Sequence, residues 1–127
     1  MARSVPTPPP PHALLARWRW LGCKVRWALD PDEPRLLRHY LDAGQQAQQG
    51  GQIDAWNCHG QCVKLLHATA RDLVLPWHWR VQCLDILVWP MADLERLAGS
   101  DAARQFALRV LRSQLALTDM APSLPLD

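Results

Sequence analysis

Cys58-His59-Gly60-Gln61-Cys62 is the stretch whose residue types and spacing come closest to chemistry. On a helix, positions i and i+4 lie one above the other. Cys58 and Cys62 would therefore present two sulfurs on one face, with the His59 imidazole beside them. Two more cysteines, Cys23 and Cys83, sit on other segments that also read as helical. If those segments pack together, four thiolates could form a tetrahedral site. Sulfur ligands favour zinc, cuprous copper or iron–sulfur chemistry over hard cations. His59 is the substitute ligand; His67 lies two turns further on, too far to share an ion with it, and His78 precedes Cys83 by an awkward five residues.

The same thiols offer redox sensing, which requires a depressed pKa and access to solvent. Lys24 and Arg26 flank Cys23, and Arg80 lies near Cys83. Plain packing competes with both readings. Cys58 and Cys62 fall on one stripe with Leu65 and Leu66, and free cysteine is among the most buried residue types. There is no CxxC pair, no CxxCH and no HExxH. The expectation is therefore a chain without a cofactor. The alternative is zinc, Cu(I) or iron held by Cys58, Cys62, Cys23, Cys83 and His59.

The elements that would position these residues are helices. The first spans about Ala13 to Ala28, with Leu14, Trp18, Leu21 and Val25 on one stripe. Asp30-Pro31-Asp32-Glu33-Pro34 supplies capping carboxylates and prolines for a second helix, which turns Leu36, Leu37, Tyr40 and Leu41 inward and ends at Gly50-Gly51. A third runs from near Gln52 to about Asp72, carrying Cys58, Cys62, Leu65, Leu66 and Thr69 on one face. Pro76 opens a fourth and Pro90 closes it; this helix is apolar nearly all round, so it belongs at the centre. A short helix reaches Leu97. Gly99-Ser100 caps a last segment, which should bury Ala103, Phe106, Ala107, Val110, Leu111 and Leu115.

No alternating run of β-branched residues competes with this pattern. The predicted fold is all-α, a compact bundle of four main helices plus one short helix behind a proline-rich N-terminal tail. Residues 1–12 read as a disordered proline-rich tail, 13–117 as one helical domain and 118–127 as a frayed C-terminal tail.

Length and composition agree with one domain. The chain has 127 residues, is 49% hydrophobic and 20% charged, and carries a net charge of +2, too little for a global field that draws in nucleic acid or anionic lipid. Arginine supplies 12 of the 14 basic residues, as codon bias in a GC-rich bacterial genome would produce. No segment reaches the roughly 20 apolar residues of a membrane span. Prolines occupy the place where a signal peptide would be apolar, which predicts a cytoplasmic protein with reduced cysteines.

Seven tryptophans stand against one Phe and one Tyr. Indoles fill small cores, and beside arginine they anchor interfaces. Those the core leaves exposed are the expected contact surface, with Trp18, Trp20, Trp27, Trp77, Trp79, Arg17 and Arg19 the first places to look. The partner would be another protein or a second copy of this chain. Arg17-Trp18-Arg19-Trp20 with Lys24, Arg26 and Trp27 also offers a basic aromatic helix to nucleic acid or a membrane surface, although the low net charge disfavours nucleic acid. Catalysis has no support. The only glutamates are Glu33 and Glu95, the serines lie in tails, at a cap or on a polar face, and no phosphate loop follows a strand.

Pro76-Trp77-His78-Trp79-Arg80, then Cys83-Leu84-Asp85, then Pro90, Leu94 and Leu97, resembles the small bacterial FagA-type proteins, named for association with the iron-responsive Fur repressor. The resemblance covers Trp18 to Leu97 and leaves out the proline tail and the last helix. It implies expression under iron limitation, near genes for fumarase and a manganese superoxide dismutase. It carries over no catalytic residues. The expected function is that of a small non-catalytic helical protein acting through protein–protein contacts in iron-limitation or oxidative-stress physiology.

Overall fold

Apolar residues recurring at helical spacing, punctuated by prolines, glycines and aspartates, become six helices in the computed structural model, which describes residues 13–125. They are α1 (Leu14–Arg26), α2 (Arg35–Gln49), α3 (Ala55–Ala70), α4 (Trp77–Ile86), α5 (Val88–Ala98) and α6 (Ala102–Ala116). The described chain is all-α, with one helix for each of the six segments read from the sequence. The proline-rich segment 1–12 lies outside the described residues. No helix among the described residues is long and apolar enough to cross a membrane.

Local chemistry fixes the boundaries. Asp54 caps α3 by accepting from Asn57 N at 3.0 Å, and Asp101 caps α6 by accepting from Arg104 N at 2.9 Å. Glu33 acts as expected before α2: its carboxylate accepts from the Arg35 amide at 3.0 Å and from the Arg35 guanidinium at 2.9 and 3.0 Å. That hydrogen bonding holds its carboxyl down to about 2. Beyond α2, Gly51 takes a φ of 73°, a left-handed turn that costs glycine little.

α3 is the hub, packing on α1, α2, α4 and α5, while α1 and α2 form an extensive hairpin and α6 rests mainly on α5. Trp18, Leu21 and Val25 from α1, Leu37 and Tyr40 from α2, Val63 and Leu66 from α3, Trp79 from α4 and Leu94 from α5 meet in one core. Trp18 and Tyr40 stack with ring centroids 6.1 Å apart. The Trp79 indole is fully buried and donates to Val25 O at 2.9 Å, which ties α4 to the end of α1.

Three expectations fail. Pro90 does not close the fourth helix; α4 stops at Ile86 and Pro90 sits buried in the first turn of α5, where a missing N–H has no helical partner to lose. Nor is the fourth segment apolar all round: Arg80 is fully buried within it, while Trp77, Val88 and Trp89 are exposed. α6 buries only Leu108, leaving Phe106 and Val110 exposed and Leu111 and Leu115 half-buried, because no helix covers its outer side.

Within the segment read as frayed, the described residues 118–125 are hydrogen-bonded to the bundle. Arg80 Nε donates to Ala70 O at 2.8 Å and Nη1 to Ser123 Oγ at 3.0 Å, and the Ser123 hydroxyl donates to Leu75 O at 2.6 Å. Leu124 N donates to Leu73 O at 2.8 Å. The Thr118 hydroxyl donates to Gln114 O at 2.9 Å, so it accepts from His67 Nε2, 2.5 Å away.

Candidate functional site

The cysteines part company. α1 turns Trp18, Leu21, Gly22 and Val25 inward, which leaves Cys23 exposed on its flank. Cys83 is buried on α4, and burial alone pushes its thiol up to about 12. Only Cys58 and Cys62 meet. Among the described residues no group of three or more His, Cys, Asp or Glu side chains is placed to hold a metal ion. The alternative of a tetrahedral site from Cys23, Cys58, Cys62 and Cys83, with His59 as substitute, is not assembled by this packing, because the helices that carry the thiols face them in different directions.

Cys58 and Cys62 lie where α3 meets α2. A Cβ on Gly44 would stand 2.9 Å from Trp18 Nε1 and 3.0 Å from Cys58 Sγ, so the absent side chain is what lets indole and thiol converge on α2. The Trp18 N–H is wholly buried and lacks a well-formed hydrogen bond among the described residues, with the Tyr40 hydroxyl and the Cys62 thiol as its polar neighbours. A hydrogen bond from Cys62 is the main cause that holds the Cys58 thiol below its ordinary value, against burial and with help from Gln48. The same contact, with burial, drives the Cys62 thiol far up. Both sulfur residues line a cleft of about 190 Å³ between α2, α3 and α5, whose polar side chains include Gln48, His59 and Asp93. His59 Nε2 is 3.3 Å from Gln48 Nε2 and its Nδ1 3.6 Å from Asp93 Oδ2; burial lowers its pKa and keeps the ring neutral near pH 7.

A second concavity, of about 440 Å³, runs between α1 and α3. Its floor is the Trp18 and Tyr40 rings, Gly22 and Leu65, and its charged lining residues are Arg19, Arg26 and Lys64. Gly22 is the reason these walls approach: a Cβ there would stand 3.0 Å from Tyr40 Cε1 and 3.2 Å from Leu65 Cδ1. Arg26 is partly committed, pairing with Asp72 at 2.8 Å just outside the groove. Trp27, 58% exposed, and Cys23 stand at the groove's rim.

The tryptophans expected at a contact surface divide accordingly. Trp18 and Trp79 are core residues, at 2% and 0% exposure, and cannot serve as surface anchors. Trp20 is half-buried with the Lys24 ammonium 4.8 Å over its ring, and Trp27 and Trp77 are exposed with Arg26 and Arg80 over theirs. Arg17 and Arg19 are both exposed, and Arg19 lines the groove. Sequence reasoning missed Trp89, exposed beneath Arg38 at 4.4 Å, and Lys64 and Leu65 as groove residues. The only signal for the latter was the polar i,i+3 pair Gln61 and Lys64 beside an apolar stripe.

No protein family, curated protein or solved structure matches this chain.

Proposed function

We propose that this protein is a non-catalytic binding module that holds an acidic segment of another protein, anchored by an apolar side chain, in the α1–α3 groove. One observation carries the reading: the floor of the groove is apolar, and every charged residue that lines it, Arg19, Arg26 and Lys64, is a cation. An apolar side chain gains by leaving water for Leu65 and the aromatic rings, and flanking carboxylates complement the cationic walls. Nucleic acid fits less well. Lys24 is engaged over Trp20 and Arg26 with Asp72, which leaves few free cations on α1 to follow a phosphate chain. The FagA-type resemblance supplies a setting, a bacterial cytoplasm short of iron.

Panning a displayed peptide library against the full chain tests this. Peptides rich in Asp and Glu around one Leu, Phe or Trp should be enriched, and exchanging both Arg19 and Lys64 for Glu should weaken them about tenfold or more, because two attractions become repulsions. Binding should also soften with salt. Three outcomes would overturn the reading: enriched peptides without acids, binding indifferent to the double exchange, or a groove occupied by a second copy of the chain in sedimentation experiments. Tight, steeply salt-dependent binding of a single-stranded oligonucleotide that displaces the peptides would replace it with a nucleic-acid function.

A further inference from the structure

We propose that Cys58 and Cys62 are a dithiol centre oxidised to a disulfide by small hydroperoxides that enter the cleft between α2, α3 and α5. The three kinds of cysteine in this chain separate the claim from packing. Cys83 is buried with burial as the sole influence on its thiol, as an inert core cysteine should be. Cys23 is exposed on the flank of α1, and the other three cysteines are buried away from it, so it has no second thiol to complete a pair. Cys58 differs from both: buried like Cys83, it has a second thiol, Cys62, one turn away on the same helix, and both residues line a cleft of about 190 Å³. A water molecule occupies about 30 Å³ in the liquid, so the cleft has room for hydrogen peroxide but little for a bulky reagent.

The second observation is the orphaned donor. Trp18 Nε1 is buried without a well-formed hydrogen bond and converges with Cys58 Sγ on the bare backbone of Gly44. A buried N–H normally finds an acceptor, and leaving one unmade costs about 1–3 kcal/mol. Negative charge on sulfur would supply that acceptor. The indole stands beside the dithiol, converging with Cys58 Sγ at Gly44 and bearing on the Cys62 thiol and the Tyr40 hydroxyl as well. Gly44 is what permits the approach.

The reaction balances with the peroxide as the only co-reactant. The Cys58 thiolate attacks one peroxide oxygen and the O–O bond breaks. The proton that Cys58 released goes to the departing oxygen, giving water and a Cys58 sulfenic acid. The Cys62 sulfur then attacks the Cys58 sulfur, the S–O bond breaks, and the hydroxide leaves with the Cys62 proton as a second water. Two thiols lose two electrons to one peroxide. Closing the bond also has a conformational cost. Cβ atoms four apart on a helix lie about 5–6 Å from each other, whereas a disulfide needs about 3.5–4.5 Å. α3 must therefore bend between them, at Gly60, which has no side chain and open space beside it. Oxidation is accordingly a switch on the helix at the centre of the bundle.

Peptide mapping of the native full chain after brief treatment with stoichiometric hydrogen peroxide decides the matter. Trypsin cuts after Arg38 and Lys64, so Cys58 and Cys62 leave in one peptide, His39–Lys64, apart from Cys23 and Cys83. That peptide should lose two hydrogens and regain them with dithiothreitol, while Cys23 is still a thiol. Cys62→Ser should stall at a sulfenic acid on Cys58, which dimedone traps when added together with denaturant. Cys58→Ser should slow peroxide consumption roughly tenfold, to the rate of an ordinary exposed thiol. Oxidation of Cys23 first, with His39–Lys64 still carrying both thiols, would overturn the proposal. So would a wild-type protein that stops at the sulfenic acid. Because the mapping uses the wild-type chain, misfolding of either variant leaves the test intact.

Discussion

Replacing Trp79 by alanine should cost about 4 kcal/mol of stability, the upper range for deleting a buried aromatic side chain. The indole is fully buried, and its N–H is the bond that fastens α4 to the last turn of α1 through the Val25 carbonyl. Truncation opens a cavity where α1 and α4 meet and removes that fastening. The carbonyl itself stays satisfied, since the Ala28 amide also donates to Val25 O at 3.1 Å, so the loss is one of packing more than of an orphaned acceptor. Phenylalanine should recover about half of the deficit by refilling most of the volume. Urea titration provides the check: the midpoint should fall with the slope unchanged. A loss below about 1 kcal/mol would mean that the bundle collapses around the gap and that Trp79 is not the keystone of the α1–α4 contact.

The neighbouring position should give the second-largest effect, with a different chemistry. Arg80→Ala removes two hydrogen bonds from a charged donor, to Ala70 O and Ser123 Oγ, and should cost about 3 kcal/mol. Arg80→Met keeps most of the volume and removes a buried cation whose Nη2 has no partner, so it should cost less than half as much. Ser123→Ala should cost about 1 kcal/mol, because it frees one guanidinium N–H and the Leu75 carbonyl together. The ordering of the three variants is the informative result. If methionine were as damaging as alanine, the hydrogen bonds and not the filling of space would set the worth of this side chain.

Much of this architecture is legible in the residues. The apolar stripes of α1, α2 and α3 and the stop at Gly50-Gly51 follow from local rules that act within a turn or two, whereas the caps fall on Asp54, two residues beyond Gln52, and on Asp101, just past Gly99-Ser100. Pro90 shows where such rules become ambiguous, since a proline ends one helix and opens another with equal ease. Phe106 and Val110 show a different gap. Their spacing defines a face, but whether anything covers that face depends on where the other helices go. Arg80 breaks the expectation that charge stays outside, because a carbonyl at the end of α3 and a hydroxyl more than forty residues later receive its protons. The i,i+4 spacing announced the Cys58–Cys62 pair. The groove was hidden, because it depends on α1 lying against α3, a pairing that periodicity does not encode.

The stitching of residues 118–125 onto the bundle has a kinetic consequence. The helix pairs in contact are neighbours in sequence or one helix apart, as α3 is from α1 and from α5, and in an all-α chain such contacts form within microseconds to milliseconds. The links from His67 to Thr118, Leu73 to Leu124 and Arg80 to Ser123 tie a segment without a helix of its own to the surface that α3 and α4 make together. Their closure entropy is best met once the bundle already holds the chain together. The Arg80 guanidinium is thus enclosed by the last segment to arrive, and during the interval before docking it remains open to water, when burying a charge would be most costly.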